Sequence, residues 1–398
     1  FCSGCRNGGV LYLCPACGER AYCQTCLFIP ENEADNFVCP PCFAVRQGED
    51  GVLGKEKPYP FIFLRGMATR ENHPKIIMTP LIIFSLHLRG WSILDTPCSV
   101  SYQALFPWLK GNVALVEIDF DLSSPEEIAN FQGRMDNLLN QLKKPLFKRF
   151  TRFCVFITTH SDPITGYLHI GPNHCGSAPL EEVFEYLFPP KFQALLKCSS
   201  TNLLHIMACG SVVNISESNL ALQAYAQKAL FLRIYAYSHT DFQPSLCFNF
   251  VERHIVNFFI YGRYSLVPLL QDNQVLGSHT GIFEFCGSLP GQPNKLPALY
   301  RWSHPSKAPF GQRISPQCKF CKCVNTVKTV HVSDDSYTVV HRCKYISKKG
   351  KSCLFRAVYK MPTGGEWVLG RKPASFEQQG SWFKLKWVAV GANQKVGE

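Results

Sequence analysis

Short apolar runs separated by amphipathic stretches occupy the middle of the chain. Runs of apolar and β-branched residues without a polar face are typical of strands buried on both sides in a parallel sheet. Four such runs lie at residues 112–120, 153–159, 203–207 and 230–236. The second leads into His160 and the third into Ala208-Cys209-Gly210. Because ligands bind at the carboxyl ends of parallel strands, we expect His160 and Cys209 to lie at the functional edge of the sheet.

Stretches with helical spacing alternate with these strands. Ser124, Pro125 and the two glutamates that follow form a typical helix start. Helices are predicted at residues 125–142, 179–187, 219–228 and 250–261. This alternation predicts a βαβ sheet with right-handed crossovers. Shorter apolar runs predict a hairpin arm at residues 167–170. They also predict lead-in strands before the α/β domain, at residues 76–78, 81–87 and 91–93.

Length and composition suggest two to three domains with ample apolar surface to bury. The chain has 398 residues, of which 46% are hydrophobic and 13% aromatic. Its net charge of +12 is concentrated after residue 300, where 18 lysines and arginines face 5 acids. A basic domain favours a polyanionic partner. No run of 18 apolar residues is present, so no membrane span is expected, and no signal peptide is recognisable.

Four Cys-x-x-Cys pairs lie within the first 42 residues. Pairs at this spacing chelate zinc well and make poor disulfide partners for distant residues, which indicates a reducing compartment. Thiolate quartets hold tetrahedral zinc, whose binding energy can fold a segment too short for a core of its own. The uneven gaps predict two zinc ions with interleaved pairs: Cys2, Cys5, Cys23 and Cys26 for the first, and Cys14, Cys17, Cys39 and Cys42 for the second.

This stretch resembles a PHD finger, in particular the all-cysteine ADD-type variant. In the resemblance, Cys23 stands where ordinary PHD fingers have histidine, and Phe37 occupies the usual tryptophan position two residues before the last pair. Many such fingers read histone tails and many others are only scaffolds, and both roles remain open. The pairing strand around residues 10–13 lacks an acidic run, which disfavours a lysine-reading role.

The central order of strand–His, helix, strand–Ala-Cys-Gly, helix, strand resembles the caspase-haemoglobinase fold, the group of caspases, metacaspases, separase and CHAT-domain peptidases. Forty-nine positions separate His160 from Cys209, close to the spacing of that group. The resemblance implies that Cys209 is the nucleophile of a cysteine endopeptidase and that His160 protonates the leaving amine. It places Gly210 on the oxyanion loop. This chain has Ser161 where the family has glycine, which disfavours activity but not the fold.

Two other interpretations of this region compete with catalysis. A cysteine or a histidine at a buried strand end is often an ordinary core residue. A metal site is the second alternative, although the spacing matches no standard zinc set; it would use His169, His174, Cys175 and His205. Asp162 receives no role. Cys98 is predicted to be a buried core thiol.

A further zinc module is predicted near the carboxyl terminus. Cys318 and Cys321 form one ligand pair, and Cys343 and Cys353 form a second, with two β-branched strands and a turn at 333–336 between the pairs. This is the layout of a zinc ribbon. The wide second pair leaves three alternative ligands: Cys323, His331 and His341.

Basic and aromatic residues are mixed in the same carboxyl-terminal region. Five basic residues surround the second ligand pair and are candidate contacts for nucleic acid: Lys344, Lys348, Lys349, Lys351 and Arg356. Trp382, Phe383 and Trp387 alternate with Lys384 and Lys386, a mixture that suits phosphate contacts and base stacking. A solvated basic face over an aromatic core strand explains the same pattern.

The sequence predicts a PHD-like finger (1–46), a linker with lead-in strands (47–109), a caspase-like α/β domain (110–275), a connector (276–312) and a basic zinc-ribbon-like domain (313–398).

Two functions remain open: a nuclear cysteine endopeptidase directed to a protein substrate by its zinc modules, and a non-catalytic adaptor for chromatin or nucleic acid that retains the fold as a scaffold. Expected partners are a peptide substrate, a histone tail or other chromatin protein, and DNA or RNA, with no membrane. Expected cofactors are two zinc ions in the finger and one in the ribbon. The nucleus is the expected location and the cytoplasm its alternative.

Overall fold

A computed structural model describes residues 2–5, 7–18, 20–49, 58–65, 76–91, 96–199, 201–287, 296–333 and 338–386. The chain divides into two compact units. One comprises residues 1–78 with 255–264, and the other comprises residues 79–254 with 265–398.

The first unit is the cysteine-rich module. Its four short strands form two antiparallel pairs, β1 (Leu11–Leu13) with β2 (Ala21–Cys23) and β3 (Leu27–Phe28) with β4 (Ile62–Phe63). The longer helix is α1 (Pro40–Glu49), and a π-helical turn occupies Val256–Ile260. Phe37 is fully buried and meets the Tyr22 ring edge-on at 6.0 Å. The module thus has a small aromatic core between its cysteine groups.

The second unit is built around one large sheet. In chain order its elements are β5 (Leu81–Leu88), α2 (Pro97–Leu109), β6 (Val113–Phe120), α3 (Pro125–Leu142), β7 (Arg152–Thr158), β8 (Leu168–His169), β9 (Ser177–Ala178), α4 (Leu180–Leu187), α5 (Pro190–Lys197), β10 (Leu203–Met207), α6 (Ser211–Asn214), α7 (Ser216–Ala226), β11 (Arg233–Tyr237), α8 (Phe248–Ile255), α9 (Val267–Asp272), α10 (Gln274–His279), β12 (Ile282–Cys286), β13 (Ala298–Ser303), β14 (Val327–Val332), β15 (Thr338–Cys343), β16 (Arg356–Lys360), β17 (Gly365–Trp367), α11 (Phe376–Gln379) and β18 (Ser381–Lys386).

The main sheet has nine strands in the order β17-β18-β13-β12-β11-β10-β7-β5-β6. The five strands from β6 to β11 are parallel, and the remaining four are antiparallel to their neighbours. Numbered by sequence, the parallel part has the order 2-1-3-4-5, one of the common doubly wound arrangements, and the order reverses between β5 and β7. The sheet is therefore mixed, whereas the sequence predicted a parallel one.

Local sequence explains the parallel half well. Ser124 caps α3 by accepting a hydrogen bond from the Glu127 N–H at 3.2 Å, as its position before Pro125 predicted. Every residue of β7 and β10 is buried, in agreement with their unbroken apolar runs. β8 and β9 form the predicted hairpin arm. Helices α2 and α5 had not been predicted.

In two segments the observed secondary structure differs from the one that the sequence predicts. The run at 81–87, predicted to be a lead-in strand, is β5 and lies inside the main sheet between β6 and β7. All eight residues of β5 are buried, as expected for an interior strand. The predicted connector at 276–312 contains α10, β12 and β13, and its glycine- and proline-rich composition hid these short strands. Residues 76–78 form no strand, and residues 92–95 of the third predicted run lie outside the described part.

The carboxyl-terminal region contributes to two sheets. Strands β14, β15 and β16 form a separate antiparallel sheet, which adds a third strand to the predicted pair. Strands β17 and β18 instead extend the main sheet, where β18 pairs with β13. Trp382 and Phe383 on β18 are 2% and 0% exposed and form part of the core, which removes them as base-stacking platforms. Trp387 and residues 334–336 of the predicted turn at 333–336 lie outside the described residues.

Candidate functional site

Twelve cysteines gather into three groups of four, and each group matches a predicted quartet. The first unit holds Cys2, Cys5, Cys23 and Cys26 in one group and Cys14, Cys17, Cys39 and Cys42 in the other. In each group all four sulfur atoms lie within 4.8 Å of one another. The interleaved pairing predicted from the uneven gaps is therefore the one found.

The sulfur separations suit a tetrahedral zinc ion. Zinc–thiolate bonds of about 2.3 Å imply sulfur–sulfur edges of about 3.8 Å in a tetrahedron. Cys5 and Cys23 are 3.7 Å apart at sulfur, and Cys17 and Cys39 are 4.0 Å apart. No cysteine in the described part of the chain forms a disulfide, so no disulfide competes for these positions. The residues present fit the metal that their spacing predicted.

Hydrogen bonds around the first group favour bound thiolates. The backbone N–H groups of Gly4 and Cys23 donate to Cys2 Sγ at 3.3 and 3.2 Å. The Arg65 guanidinium donates to Cys26 Sγ at 3.1 Å. A zinc ion with four thiolates carries two negative charges, and these donors offset part of that charge.

Ionisation of one thiol in the first group opposes ionisation of a neighbouring thiol, as Cys23 and Cys26 show. Burial raises the pKa of Cys26 to about 12. Burial also opposes ionisation of Cys23, but hydrogen bonds from Thr25 and the neighbouring cysteines outweigh it and lower the pKa of Cys23 to about 6. One thiolate thus suppresses the next, and a divalent cation is the species that makes four thiolates compatible in one site.

The third group lies beside the β14–β16 sheet and consists of Cys318, Cys321, Cys343 and Cys353. Sulfur separations of 3.7 Å for Cys318–Cys353 and 3.6 Å for Cys321–Cys343 again suit tetrahedral zinc. The wide second pair is accommodated because the backbone of Cys353 returns to hydrogen bond with Tyr345.

The three alternative ligands are engaged elsewhere or turned to solvent. His341 Nε2 lies 2.7 Å from the Pro305 carbonyl oxygen, and the Cys323 thiol donates to the Cys321 carbonyl at 3.6 Å. His331 is exposed on β14. The four cysteines therefore form this group without them.

The carboxyl edge of the parallel strands brings His160 and Cys209 to the same level. Strands β7 and β10 are neighbours, and Thr158 pairs with Met207 in their register. His160 and Cys209 each follow two residues later, so their backbones leave the sheet side by side. Among the described residues, no hydrogen bond joins Cys209 Sγ to the imidazole of His160. Their pairing as a dyad stays a prediction.

His160 sits in an aromatic and imidazole environment at the point where the strand order reverses. Its ring centroid lies 5.1 Å from that of Trp91, 5.7 Å from that of His169 and 5.3 Å from that of His174. Burial, followed by the neighbouring imidazoles, lowers the pKa of His160 below its usual 6.5. The imidazole of His160 is therefore neutral at pH 7 and able to accept a proton.

The Cys209–Gly210 turn is fixed by three polar contacts. Ser161 Oγ donates to the Cys209 carbonyl at 2.8 Å, and the Gly210 N–H donates to the His239 carbonyl at 2.7 Å. A side chain on Gly210 would place its Cβ 2.2 Å from the Ser238 carbonyl oxygen, so only glycine fits. The Asn214 amide completes the turn by donating to the same Ser238 oxygen at 2.8 Å. The Gly210 donor is thus already satisfied.

Other residues noted from the sequence have structural surroundings. Asp162 accepts hydrogen bonds from the Ile164 and Thr165 backbones at 2.9 and 2.8 Å, which lower its pKa and fix a turn. Cys98 is fully buried, as predicted. His205 stacks on Phe156 and points away from the His169–His174 pair toward other core residues, Tyr237 and His254.

Trp91 was not predicted to be a neighbour of His160, because the run at 91–93 was assigned to a lead-in strand before the α/β domain. The packing of Ser238 and His239 against Gly210 was not predicted either. The position of these two residues directly after a predicted strand, at the same carboxyl edge, was the available signal.

The five basic residues around the third cysteine group are all solvent-exposed: Lys344, Lys348, Lys349, Lys351 and Arg356. Apolar side chains are exposed beside them, with Phe320 at 67% and Leu354 at 86%. The residues around the third cysteine group therefore combine positive charge with accessible apolar surface.

Comparison with known proteins gives no relative from which a role can be transferred. No protein-family model matches the chain, and no curated protein matches its sequence. In the described part of the chain, no helix has both the length and the apolar character required to cross a membrane. What can be concluded about function therefore rests on the three cysteine groups and on the carboxyl edge of the sheet.

Proposed function

We propose that the chain is a zinc protein whose three cysteine groups are structural sites and whose sheet edge is a cysteine peptidase site. The observation that carries the peptidase part is the β7–β10 register, which sets His160 and Cys209 at the same level on adjacent parallel strands. The caspase-like resemblance and the nuclear role of the flanking modules belong to this proposal.

In the proposed reaction, neutral His160 takes the proton of the Cys209 thiol, and the thiolate attacks a peptide carbonyl. The resulting oxyanion collapses as His160 returns the proton to the leaving amine, which yields a thioester on Cys209. Water then hydrolyses the thioester and regenerates the thiol. The low pKa of His160 favours proton transfer during reaction over a preformed thiolate–imidazolium pair.

The Gly210 N–H is hydrogen-bonded within the protein, which limits its use as a donor to the oxyanion. Because this group already donates to the His239 carbonyl, it is not a free donor in the resting geometry. The Cys209 N–H remains the donor assigned by the resemblance. Removal of the Cys209 side chain tests the proposal independently of this detail.

Labelling with an electrophilic peptide probe, with the full zinc-loaded chain compared with Cys209→Ala, tests the site. We expect a single adduct on the parent protein, none on Cys209→Ala, and strongly reduced labelling of His160→Gln. Cys198→Ala, which removes an exposed thiol outside the site, is the matched control and should label normally. Equal labelling of the parent and Cys209→Ala would exclude the peptidase.

A second function is supported by the exposed basic residues around the third cysteine group. Five basic side chains around a rigid cysteine group suit phosphate contacts, whereas the buried Trp382 and Phe383 leave β18 without stacking platforms. This favours a backbone-directed, sequence-independent interaction. In this alternative the chain is an adaptor for nucleic acid and the sheet edge is inert.

Binding of a labelled DNA duplex at several salt concentrations tests the adaptor. A Lys348→Gln/Lys349→Gln variant should bind more weakly and with a shallower salt dependence, because two phosphate contacts are lost. A Lys143→Gln/Lys144→Gln variant, with a lysine pair on the α/β part, is the control. Binding that does not depend on salt would count against the electrostatic interface.

A further inference from the structure

A cavity of about 480 Å³ opens at the carboxyl end of β11, beside the strand that carries Cys209. Its walls come from the residues after β11, from α10 and the glycine that follows it, from the end of β13 and from the loop around residues 308–313. Small-molecule sites typically have volumes of 300–1,000 Å³, so the space suits a ligand larger than a single ion.

The charges that line this cavity are of one sign. Arg301 and Arg313 contribute guanidinium groups, and His239 and His279 contribute stacked imidazoles 4.8 Å apart, while no aspartate or glutamate is among the lining residues. Neither arginine forms an ion pair within the described part of the chain. Burial lowers the pKa of Arg301, and no acid offsets that effect.

Hydrogen bonds around His239 leave two donors facing each other. The Asp241 N–H donates to His239 Nδ1 at 2.9 Å, so a neutral His239 carries its proton on Nε2. The Arg313 guanidinium lies against that same Nε2. Two N–H groups cannot satisfy each other, and a ligand acceptor within reach of both would satisfy them.

His279 adds another donor to the cavity. Its Nε2 accepts from the Gln243 N–H at 3.1 Å, so a neutral His279 carries its proton on Nδ1. Arginine is well suited to bind a carboxylate or phosphate group through two parallel hydrogen bonds. The lining is therefore rich in donors and positive charge, and poor in acids.

We propose that this cavity binds a small ligand through an oxyanion, a phosphate or carboxylate group, held by Arg301, Arg313 and the two imidazoles. Arg313 is the exposed entrance residue, and Arg301 is the more deeply placed one. The larger volume holds the body of the ligand. The proposal goes beyond the peptidase, because it requires no chemistry at Cys209.

Calorimetric titration of the full zinc-loaded chain with pyrophosphate and, separately, with glutarate tests the proposal. We expect saturable binding of at least one probe, and an affinity loss of about tenfold or more in Arg313→Gln. Arg149→Gln, which changes an exposed arginine in the loop before β7, is the matched control and should bind as the parent does. Binding of pyrophosphate alone identifies a phosphate ligand, and binding of glutarate alone identifies a carboxylate.

Arg301→Gln provides the second variant, with folding checked by the thermal transition because Arg301 is partly buried. Absence of saturable binding for both probes would overturn the proposal, as would unchanged affinity in Arg313→Gln. Peptide-probe labelling of Cys209 is measured in parallel. If Cys209 is not labelled but an anion still binds, the peptidase proposal is rejected and the cavity proposal is retained. If Cys209 is labelled but neither anion binds, only the cavity proposal is rejected.

Discussion

The cysteine groups and the carboxyl edge of the main sheet differ in how completely their chemistry is assembled. In each cysteine group, four sulfurs lie within 4.8 Å of one another, at the edge lengths of a zinc tetrahedron. At the sheet edge, the backbones of His160 and Cys209 are level, but His160 contacts Trp91 and two histidines instead. A metal site requires its ligands together at rest, whereas a catalytic pair can close around its substrate.

The same residue type is therefore proposed to have two roles in this chain. The cluster cysteines are placed where a bound cation would stabilise the fold, whereas the turn that bears Cys209 is held by hydrogen bonds to its backbone. Variants at each site, compared with neutral controls, separate the two roles.

Loss of one cluster cysteine should have the largest effect. Cys14→Ala removes a ligand from the second group, and structural zinc sites contribute about 10–16 kcal/mol of binding free energy. We expect the zinc content to fall by one ion per chain and the first unit to lose its folded structure. Native mass spectrometry gives the stoichiometry, with Cys198→Ala as control. Unchanged zinc content in Cys14→Ala would show that this group is not a metal site.

A methyl group on Gly210 should cost several kcal/mol, because its Cβ would lie 2.2 Å from the Ser238 carbonyl oxygen. Gly133→Ala is the matched control, because Gly133 lies on the exposed face of α3 and an added Cβ would meet no atom within 4 Å. That control should raise stability by about 0.5–1 kcal/mol. Urea denaturation measures both. Equal stabilities for the two variants would contradict the described packing of the turn.

Acidification should destabilise the fold through His205. Burial, followed by the charge of His254, lowers the pKa of His205 well below 6.5, so the unfolded state binds a proton that the folded state does not. Stability attributable to His205 is therefore full above pH 6.5 and falls by about 1.4 kcal/mol per pH unit below it. The free energy of unfolding, measured by urea denaturation between pH 6.5 and 5, should therefore depend less steeply on pH in His205→Gln, by about 1.4 kcal/mol per pH unit. His331→Gln is the control, and equal slopes in the parent and His205→Gln would refute the assignment.

Replacement of Ser161 by glycine, the residue expected from the caspase resemblance, should have the smallest effect. The variant loses the 2.8 Å hydrogen bond to the Cys209 carbonyl, which corresponds to about 0.5–1.5 kcal/mol. Ser161→Ala loses the same hydrogen bond but retains the Cβ. It therefore distinguishes the effect of the lost hydrogen bond from the effect of removing the whole side chain. Chemical denaturation should give similar losses for both. A loss confined to Ser161→Gly would assign the effect to backbone freedom rather than to the hydrogen bond.

The sequence predicted what depends on local spacing and missed what depends on distant strands. Cys2 to Cys42 were paired correctly because interleaved pairs at short intervals leave few geometric solutions. The β7 and β10 strands and the α3 cap were equally local. The antiparallel half of the sheet was missed because β12 and β13 are short and flanked by residues typical of loops, and because β18 joins its partner β13 across about eighty residues. Long-range pairing of this kind has no local periodicity to reveal it.

The candidate site shows the same division. The alignment of His160 with Cys209 follows from two strands that the sequence identifies, whereas the surroundings of each side chain come from other segments. Trp91 reaches His160 only because β5 lies next to β7, and Ser238 excludes a side chain at Gly210 only because β11 lies next to β10. Neither neighbour is close in sequence to the residue it constrains.

Time-resolved alkylation of the zinc-loaded chain, with each cysteine followed by peptide mass spectrometry, distinguishes metal-bound thiolates from a reactive thiol. We expect the twelve cluster cysteines to resist alkylation until a chelator is added, and Cys209 to react faster than the exposed thiols Cys175 and Cys198. His160→Gln should reduce the Cys209 rate to that of Cys198. Rapid alkylation of the cluster cysteines before chelation, or a Cys209 rate no higher than that of Cys198 in the parent protein, would contradict the two roles proposed for the cysteines.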